Sequence, residues 1–295
     1  MSPNILVVGA TGKQGGKAAA AILAAKSTNP DLNLTFITRN PDSGSSQKLV
    51  AQGATPIQAD LGDKASLVKA LQGIDRAFFV TDAGVGEEKE AQQGITFVDA
   101  ALEAGVKHLV YTSVGDADVA TGVPHFRSKY KVEQYLVSSG IPFTILRPVA
   151  FMDNFPTEAG LTRFFVIGFF FSCVGLKKVD LISTSDIGVF AGKALLDPEG
   201  PHFRNRILQL SAGTYGLDDF TRAIEKVQGH TPWFARYMTR WARSALPFDF
   251  KQMFIFFDKS GYKPTDVDEL RRIHPGLLSL EDWFRENTPE DKRVV

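Results

Sequence analysis

The sequence predicts an α/β protein with a doubly wound parallel sheet and a smaller C-terminal α/β cap. Short apolar segments alternate with segments of helical periodicity up to about residue 150, and the pattern then loosens. Helices between strands require crossover connections, which make a sheet parallel with both faces covered. The chain has 295 residues, 44% of them hydrophobic, enough to bury a full core. We therefore expect a sheet domain at 1–150 and a cap at 151–295, built onto the same sheet.

The individual elements follow from hydrophobic periodicity and from turn residues. Apolar runs predict six strands in the first half, at 5–8, 32–39, 54–60, 76–81, 106–113 and 142–147. Between them, helices are predicted at 17–25, 64–71, 87–104 and 128–139, and a loop rich in Pro, Gly and Ser at 40–46. In the second half, acidic residues at a helix start predict helices at 185–196 and 217–228, with an added strand at 207–210.

One apolar run, Phe164–Leu176, interrupts this pattern. Its 13 residues (FFVIGFFFSCVGL) are too few to span a bilayer as a helix, so no membrane span is expected. A buried strand or core segment is the first interpretation. The alternatives are an apolar wall for a hydrophobic substrate or partner, and shallow membrane contact. No clear helix is expected between 151 and 181.

Composition excludes several classes of function. Lys+Arg and Asp+Glu both total 33, so no charge excess favours direct nucleic-acid binding or an anionic membrane. The single cysteine, Cys173, indicates a reducing compartment, and its apolar surroundings argue against a reactive thiolate. The five histidines show no metal-ligand spacing, so no metal site is predicted. No basic-then-apolar leader opens the chain, and a cytoplasmic location is expected.

The segment between the first strand and the first helix is rich in glycine. A strand, a glycine turn and a helix N-terminus place backbone N–H groups where a pyrophosphate binds. Glycine is needed where a Cβ would block the turn, the phosphates or helix–strand packing. The spacing GxxGxxG is a variant of the Rossmann dinucleotide fingerprint, and a purely structural turn is the alternative. The predicted binding loop consists of Gly9, Ala10, Thr11, Gly12, Lys13, Gln14 and Gly15.

The residue that ends the second strand decides between NAD and NADP. An acidic residue there would bind the ribose 2′-hydroxyl, but this position is Arg39, and no Asp or Glu lies between Asp31 and Asp42. A guanidinium suits a 2′-phosphate, so NADP is predicted; a surface arginine is the alternative. Asp60, which ends the third strand, is predicted to lie beside the adenine or to cap the next helix.

Several motifs in fixed order resemble the NmrA-like family of atypical short-chain dehydrogenase/reductases. They are GATGKQGG at 9–16, TRN at 38–40, QADLGD at 58–63, HFRSKYKVEQYL at 125–136, FTILRPVAFMDNF at 143–155 and ISTSDIG at 182–188. The resemblance covers nearly the whole chain. It implies NADP contacts from the glycine loop and from Arg39, Asp60, Leu61 and Thr81. It also implies a bond from Lys129 to the nicotinamide ribose. The nicotinamide end would be lined by Phe151, Met152, Asp153 and Asn154.

The chain departs from ordinary short-chain reductases at the proton donor. Those enzymes carry Tyr-x-x-x-Lys, whereas the residue four before Lys129 is His125. Histidine titrates near neutrality and is a candidate donor, with a loop or core residue as the alternative. Ser113 matches the position of the reductase serine approximately. Tyr130 would point about 100° away from Lys129 on a helix and is a poor substitute. The candidate catalytic residues are Lys129, His125 and Ser113.

Two functions of different class follow. The first is an NADPH-dependent oxidoreductase acting on a small, largely apolar carbonyl or enone, and it is favoured. The second is a non-catalytic NADP(H) redox sensor or transcriptional regulator that acts through a protein partner, in which case a nuclear location is also expected. A homodimer is compatible with either, and the sequence does not name the substrate.

Overall fold

The computed structural model of the chain describes residues 2–234 and 240–294, which form two compact units. The first consists of Met1–Val119, His125–Arg147 and Thr184–Gln209, and the second of Ala120–Pro124, Pro148–Ser183 and Leu210–Val295. The predicted boundary at residue 150 would place 184–209 in the second domain, whereas this division assigns them to the first unit. The domain boundary itself stays a prediction.

The strands and helices alternate regularly through the first half of the chain. The described strands are β1 (Asn4–Val8), β2 (Asn33–Thr38), β3 (Thr55–Gln58), β4 (Arg76–Val80), β5 (His108–Thr112), β6 (Phe143–Pro148), β7 (Ala150–Phe151), β8 (Val179–Ile182), β9 (Arg206–Leu210) and β10 (Gly213–Tyr215). The described helices are α1 (Lys13–Ala25), α2 (Gly44–Ala51), α3 (Lys64–Leu71), α4 (Glu87–Ala104), α5 (Pro124–Ser138), α6 (Leu161–Cys173), α7 (Thr184–Leu196), α8 (Leu217–Gln228), α9 (Phe248–Lys259), α10 (Val267–Ile273) and α11 (Leu280–Asn287).

The predicted doubly wound sheet is confirmed. Seven of the described strands form one sheet in the order β3-β2-β1-β4-β5-β6-β9, and every pair from β3 through to β6 is parallel. The chain runs outward from β1 through β2 to β3, then returns to β4 on the other side of β1. This reversal makes the carboxyl ends of β1 and β4 the switch point at which such sheets bind ligands.

Close packing against α1 explains why α7 belongs to the first unit. A Cβ on Gly188 would lie 2.6 Å from the backbone carbonyl carbon of Lys17, and one on Gly192 would lie 2.8 Å from the Cβ of Ala21. The two helices approach this closely only because both positions are glycine.

Three expectations about helices in the sequence were wrong. The loop predicted at 40–46 gives way to α2 from Gly44, because the Ser43 side chain accepts a hydrogen bond from the amide of Ser46 and caps that helix. Helix α5 begins at Pro124 rather than at 128, since proline suits the first turn of a helix. The apolar run Phe164–Leu176, interpreted as a buried strand or core segment with no clear helix, lies largely in α6.

Helix α6 nevertheless confirms the core interpretation of that run. Ile167, Phe171 and Cys173 on α6 are fully buried, and Phe171 contacts the ring of Phe220 with the ring centroids 5.3 Å apart. Phe165 on the outer face is 52% exposed, so the helix is amphipathic despite its composition. The second unit also contains a small sheet in which β8 pairs parallel with β7 and antiparallel with β10. Among the described residues, no helix combines the length and hydropathy that crossing a bilayer requires.

Candidate cofactor and active site

The glycine loop follows β1 at the switch point and has the geometry that its glycines predict. Gly9 has a φ of +71°, and a Cβ there would lie 2.7 Å from Cγ1 of Val80 on the neighbouring strand. A Cβ on Gly15 would lie 2.3 Å from the carbonyl oxygen of Gly9. The amide of Gly12 donates to that same oxygen at 2.8 Å, which closes the turn. Side chains at Gly9 and Gly15 are therefore excluded by contacts within the fold itself.

Helix α1 begins directly after this turn, and no side chain caps it. Its N-cap is Gly12, which carries no capping group, and the first turn of the helix contains no acidic residue. By contrast, Asp63 caps α3 through the amides of Ala65 and Ser66. An N-terminus without a capping side chain leaves backbone N–H groups and the positive end of the helix dipole available to an anion.

The other loop residues are divided between the core and solvent. Ala10 is buried, whereas Thr11 and Lys13 are exposed. The side chain of Gln14 is fixed, because Thr112 at the end of β5 donates to its Oε1 at 2.6 Å. The start of α1 is thus tied to the carboxyl end of β5.

The residues after β2 and β3 are also placed at this edge of the sheet. Arg39 directly follows β2, is exposed, and forms no ion pair within 2–234 or 240–294. Asp60 is exposed and its Oδ1 accepts from the amide of Gly62 at 2.7 Å. The alternative role predicted for Asp60, the cap of α3, is wrong, because Asp63 fills it. Leu61 packs against the core.

A buried polar network lies at the carboxyl end of β4. Lys129 on α5 is 9% exposed, and its ammonium lies 2.7 Å from Oε1 of Glu90 on α4, which is fully buried. Thr81, which follows β4, donates to the same Glu90 oxygen at 2.8 Å. Lys129 also donates to the Thr81 carbonyl oxygen at 3.3 Å and to its hydroxyl at 3.2 Å, and Ser128 donates to the other Glu90 oxygen. Lys129 is therefore a buried residue and not a surface lysine.

Glu90 and Ser128 are members of this network that the sequence motifs did not predict, and Glu90 is the charged one. A signal was present, because Glu90 shares a helical stripe of α4 with Gly94, Phe97 and Ala101, all of them buried. A carboxylate on an apolar stripe predicts a buried partner, since unpaired burial of a charge is costly. The identity of that partner depends on how α5 packs, which local sequence does not show.

The two tyrosines near the network have different positions. Tyr111 on β5 is fully buried, and its hydroxyl lies 3.3 Å from the Thr81 hydroxyl. Burial raises the pKa of Tyr111 well above its usual value, and nearby Glu90 raises it further. The phenol therefore stays protonated and serves the network as a hydrogen-bonding group. Tyr130 lies on the next position of α5 after Lys129 and belongs to a different face of the helix.

His125 and Lys129 lie one turn apart on α5. Since α5 starts at Pro124, both residues are helical and share one side of the helix. His125 is half-buried and packs edge-on against Phe126, with the ring centroids 4.8 Å apart. The structure thus places the predicted proton donor in the same element as the lysine.

Ser113 lies next to a second buried ion pair. Its hydroxyl is buried and has no hydrogen-bond partner among the described residues. The nearby Glu133 carboxylate is held by Arg147, whose Nε lies 3.0 Å from Oε1, and Arg147 also reaches Asp118 at 2.8 Å. Burial raises the pKa of Glu133, although the neighbouring Arg147 guanidinium opposes that shift.

The residues predicted for the nicotinamide end belong to the second unit. Phe151 ends β7, and Met152–Asn154 form a single 3-10 turn after it. Met152 is fully buried, Phe151 and Asp153 are half-buried, and Asn154 is exposed. Their role in binding stays a prediction.

The first unit therefore has the features of a dinucleotide-binding α/β protein. These are a doubly wound sheet, a glycine loop in which close contacts exclude side chains at Gly9 and Gly15, and a helix start without a capping side chain at the switch point. Comparison with known sequences identifies the family. The sequence model of the NmrA-like family matches residues 1–282, and the chain belongs to that family.

Two curated relatives carry names of oxidoreductases. The NmrA-like family domain-containing oxidoreductase FrzB of Cladobotryum sp is 29% identical over 98% of this chain and 99% of its own length. Quinone oxidoreductase 2 of Escherichia coli (strain K12) is 32% identical, but the match covers only 65% of this chain and 63% of that protein.

Solved structures share the fold at lower identity. The E. coli NADPH-dependent quinone oxidoreductase QOR2, complexed with NADPH, has a TM-score of 0.77 and 24% identity over 96% of this chain and 98% of its own. NmrA, a negative transcriptional regulator solved in complex with NADP, has a TM-score of 0.74 and 18% identity over 99% of this chain and 97% of its own. One fold thus carries an enzyme and a regulator, so the function must be argued from the site.

Proposed function

We propose that the protein is an NADP(H)-dependent oxidoreductase that acts on a small, largely apolar carbonyl or enone compound. The observation that carries the proposal is a pair of features at one edge of the sheet. Helix α1 begins after the glycine loop without a capping side chain, and the exposed Arg39 follows the adjacent strand β2. The named activities of FrzB and Quinone oxidoreductase 2 support it.

The residues at the switch point fit the cofactor. The backbone amides at the start of α1 would hold the pyrophosphate, where Gly9 and Gly15 leave room for its approach. Arg39 would hold the 2′-phosphate through its planar fork of donors. Asp60 and Leu61 would flank the adenine, and Thr81 and Lys129 would lie at the ribose of the nicotinamide.

When bound, NADPH supplies a hydride, so the protein must supply orientation and a proton. Reduction of a carbonyl or enone adds the hydride to carbon and a proton to oxygen or to the α-carbon. His125 or a water would deliver that proton. Lys129 is held by Glu90 and Thr81 and therefore orients the ribose rather than donating the proton. Ser113 is retained as the third candidate, with its buried hydroxyl able to bind a substrate oxygen.

A non-catalytic NADP(H)-dependent regulator is the second candidate. Two observations favour it: histidine replaces the tyrosine of Tyr-x-x-x-Lys, and the ammonium of Lys129 is committed to a buried carboxylate. In this function, binding of NADP(H) would change the affinity for a protein partner without turnover.

Steady-state oxidation of NADPH with a panel of quinones, enones and aldehydes distinguishes the two candidates. We expect turnover with at least one class, strongly reduced in Lys129→Ala and altered in its pH profile in His125→Ala. Lys131→Ala, which removes a half-buried lysine of the same helix that pairs with Glu87 and Glu88, is the matched control. Tight binding of NADPH without turnover on any class would reject the enzyme and favour the regulator.

The cofactor assignment has its own test in Arg39→Glu. The substitution places a carboxylate beside the 2′-phosphate, so NADP affinity should fall by about 100-fold, the equivalent of two charge-assisted hydrogen bonds. NAD carries a hydroxyl there and should lose little. Calorimetric titration of both nucleotides measures the difference, and an equal loss for both would show that Arg39 does not select NADP.

A further inference from the structure

A buried arginine in the second unit has only neutral partners. Arg163 on α6 is 4% exposed. Its Nη1 donates to the Thr157 carbonyl oxygen at 3.0 Å and to Oε1 of Gln228 at 2.6 Å, and its Nη2 lies 3.2 Å from Nε2 of His230. Among the described residues no carboxylate pairs with it. Burial lowers the pKa of Arg163, but the ordinary value is so high that the guanidinium remains charged.

His230 does not supply the missing charge either. A guanidinium only donates, so Nε2 of His230 must accept from Arg163. Nδ1 of the same ring lies 3.1 Å from the carbonyl oxygen of Gln228, which only accepts, so Nδ1 must carry the proton. The ring thus accepts from Arg163 and donates to Gln228, so it orients the arginine and brings no negative charge.

Arg163 lines an apolar cleft of about 560 Å³, a size typical of sites for small molecules. The walls include Leu161, Phe164, Pro232 and Trp233. Leu161 is 75% exposed and Trp233 is 82% exposed, which is unusual for large apolar side chains. The cleft thus joins an uncompensated cation to aromatic and aliphatic surface.

We propose that this cleft binds a small aromatic carboxylate. Three of the five N–H groups of Arg163 are used within the part of the chain that the structure describes, which leaves Nε–H and one Nη2–H for an anion. A carboxylate accepts two parallel hydrogen bonds from a guanidinium and supplies the missing negative charge. An aryl ring would pack against Trp233 and Phe164, while the carboxylate would bind Arg163. All the residues that line this site belong to the second unit.

Calorimetric titration with 2-naphthoate and with neutral 2-naphthamide tests the proposal on the unmodified protein. The two probes have the same ring and nearly the same shape. We expect saturable 1:1 binding of the naphthoate and at least about tenfold weaker binding of the amide, because only the carboxylate gains charge-assisted hydrogen bonds. Equal affinity for both probes, or no saturable binding of the naphthoate, would overturn the proposal and leave Arg163 as a purely structural link.

Variants then locate the site. Arg163→Lys retains the charge but loses the fork, so naphthoate affinity should fall about tenfold while the amide changes little. Trp233→Ala removes an exposed ring with little structural role and should weaken both probes. Arg206→Lys, at an exposed position of β9, is the matched control and should change neither. If Trp233→Ala left naphthoate affinity intact, the proposed cleft would be the wrong location.

Discussion

Replacing Glu90 by glutamine should destabilise the first unit by about 3 kcal/mol, at the low end of the 3–5 kcal/mol typical of breaking a buried ion pair. Glutamine keeps the shape of Glu90 and can still accept from Thr81, but it removes the negative charge 2.7 Å from the Lys129 ammonium. The ammonium would then have only neutral acceptors, namely the amide oxygen and the two Thr81 oxygens at 3.2 and 3.3 Å. We take the low end because the amide oxygen still accepts from Lys129.

Glu88→Gln provides the matched control. Glu88 lies on the same helix and pairs with Lys131 at 2.8 Å, but its side chain is 86% exposed. Such a pair contributes under about 1 kcal/mol. Calorimetry should therefore show a fall in melting temperature of about 6–12 °C for Glu90→Gln and of about 2 °C or less for Glu88→Gln. Hydrogen exchange of the β5 amides should report on the first unit directly.

The double variant Glu90→Gln/Lys129→Met separates an unpaired charge from a packing defect. With both charges removed, no ion is left buried without a partner, so the double variant should be at least about 1 kcal/mol more stable than the sum of the single effects predicts. If Glu90→Gln were no more destabilising than Glu88→Gln, or if the double variant were additive, Glu90 and Lys129 would not be coupled as the distances indicate.

Three further predictions concern the loop, a buried histidine and the cysteine. Gly15→Ala should cost at least about 2 kcal/mol in urea denaturation, because its Cβ would lie 2.3 Å from a backbone oxygen, whereas Gly44→Ala, with nothing within 4 Å, should be neutral or stabilising. Burial lowers the pKa of His108 to about 4, so the unfolded chain binds more protons between pH 4 and 6.5, and stability should fall by about 3 kcal/mol as the pH drops through that window. His108→Leu should flatten this dependence, and an unchanged slope would contradict it. Burial raises the pKa of Cys173 to about 11, so the native protein should react with a thiol reagent only after denaturation, and rapid reaction of the folded chain would contradict this.

The parts of the fold that the sequence predicted well are those set by local chemistry. Helix α3 begins where Asp63 caps it, and α4 ends where Gly105 adopts a left-handed conformation, so both helices have their predicted bounds. Gly15 in the glycine loop was predictable for the same reason, since a Cβ there would meet Gly9 and Val8, both within seven positions, whereas the contact that excludes a side chain at Gly9 comes from Val80 on β4.

The parts that the sequence predicted poorly depend on contacts between distant segments. The close packing of α7 against α1 depends on Gly188 and Gly192, which lie some 170 residues after α1 in the chain. The sequence favoured a buried strand or core segment in place of α6, because the run Phe164–Phe171, apolar throughout apart from Gly168, does not distinguish a buried helix from a buried strand. Likewise, the sequence does not distinguish Arg163 from an ordinary surface arginine of a helix, because its neutral partners Gln228 and His230 lie more than 60 residues away in the chain.

In the proposed function, Lys129 would hold both Glu90 and a ribose hydroxyl. An ammonium has three donors, and here they face Glu90 Oε1 at 2.7 Å and the two Thr81 oxygens at 3.2 and 3.3 Å. The longer bonds to neutral acceptors are the weaker ones, so a ribose hydroxyl would replace a Thr81 contact and leave the charged bond to Glu90 in place. Glu90 would then serve as the fixed anchor of Lys129 in the bound and the free protein. Thr81, at the carboxyl end of β4 and next to the switch point, would be the residue whose hydrogen bonds respond to the cofactor.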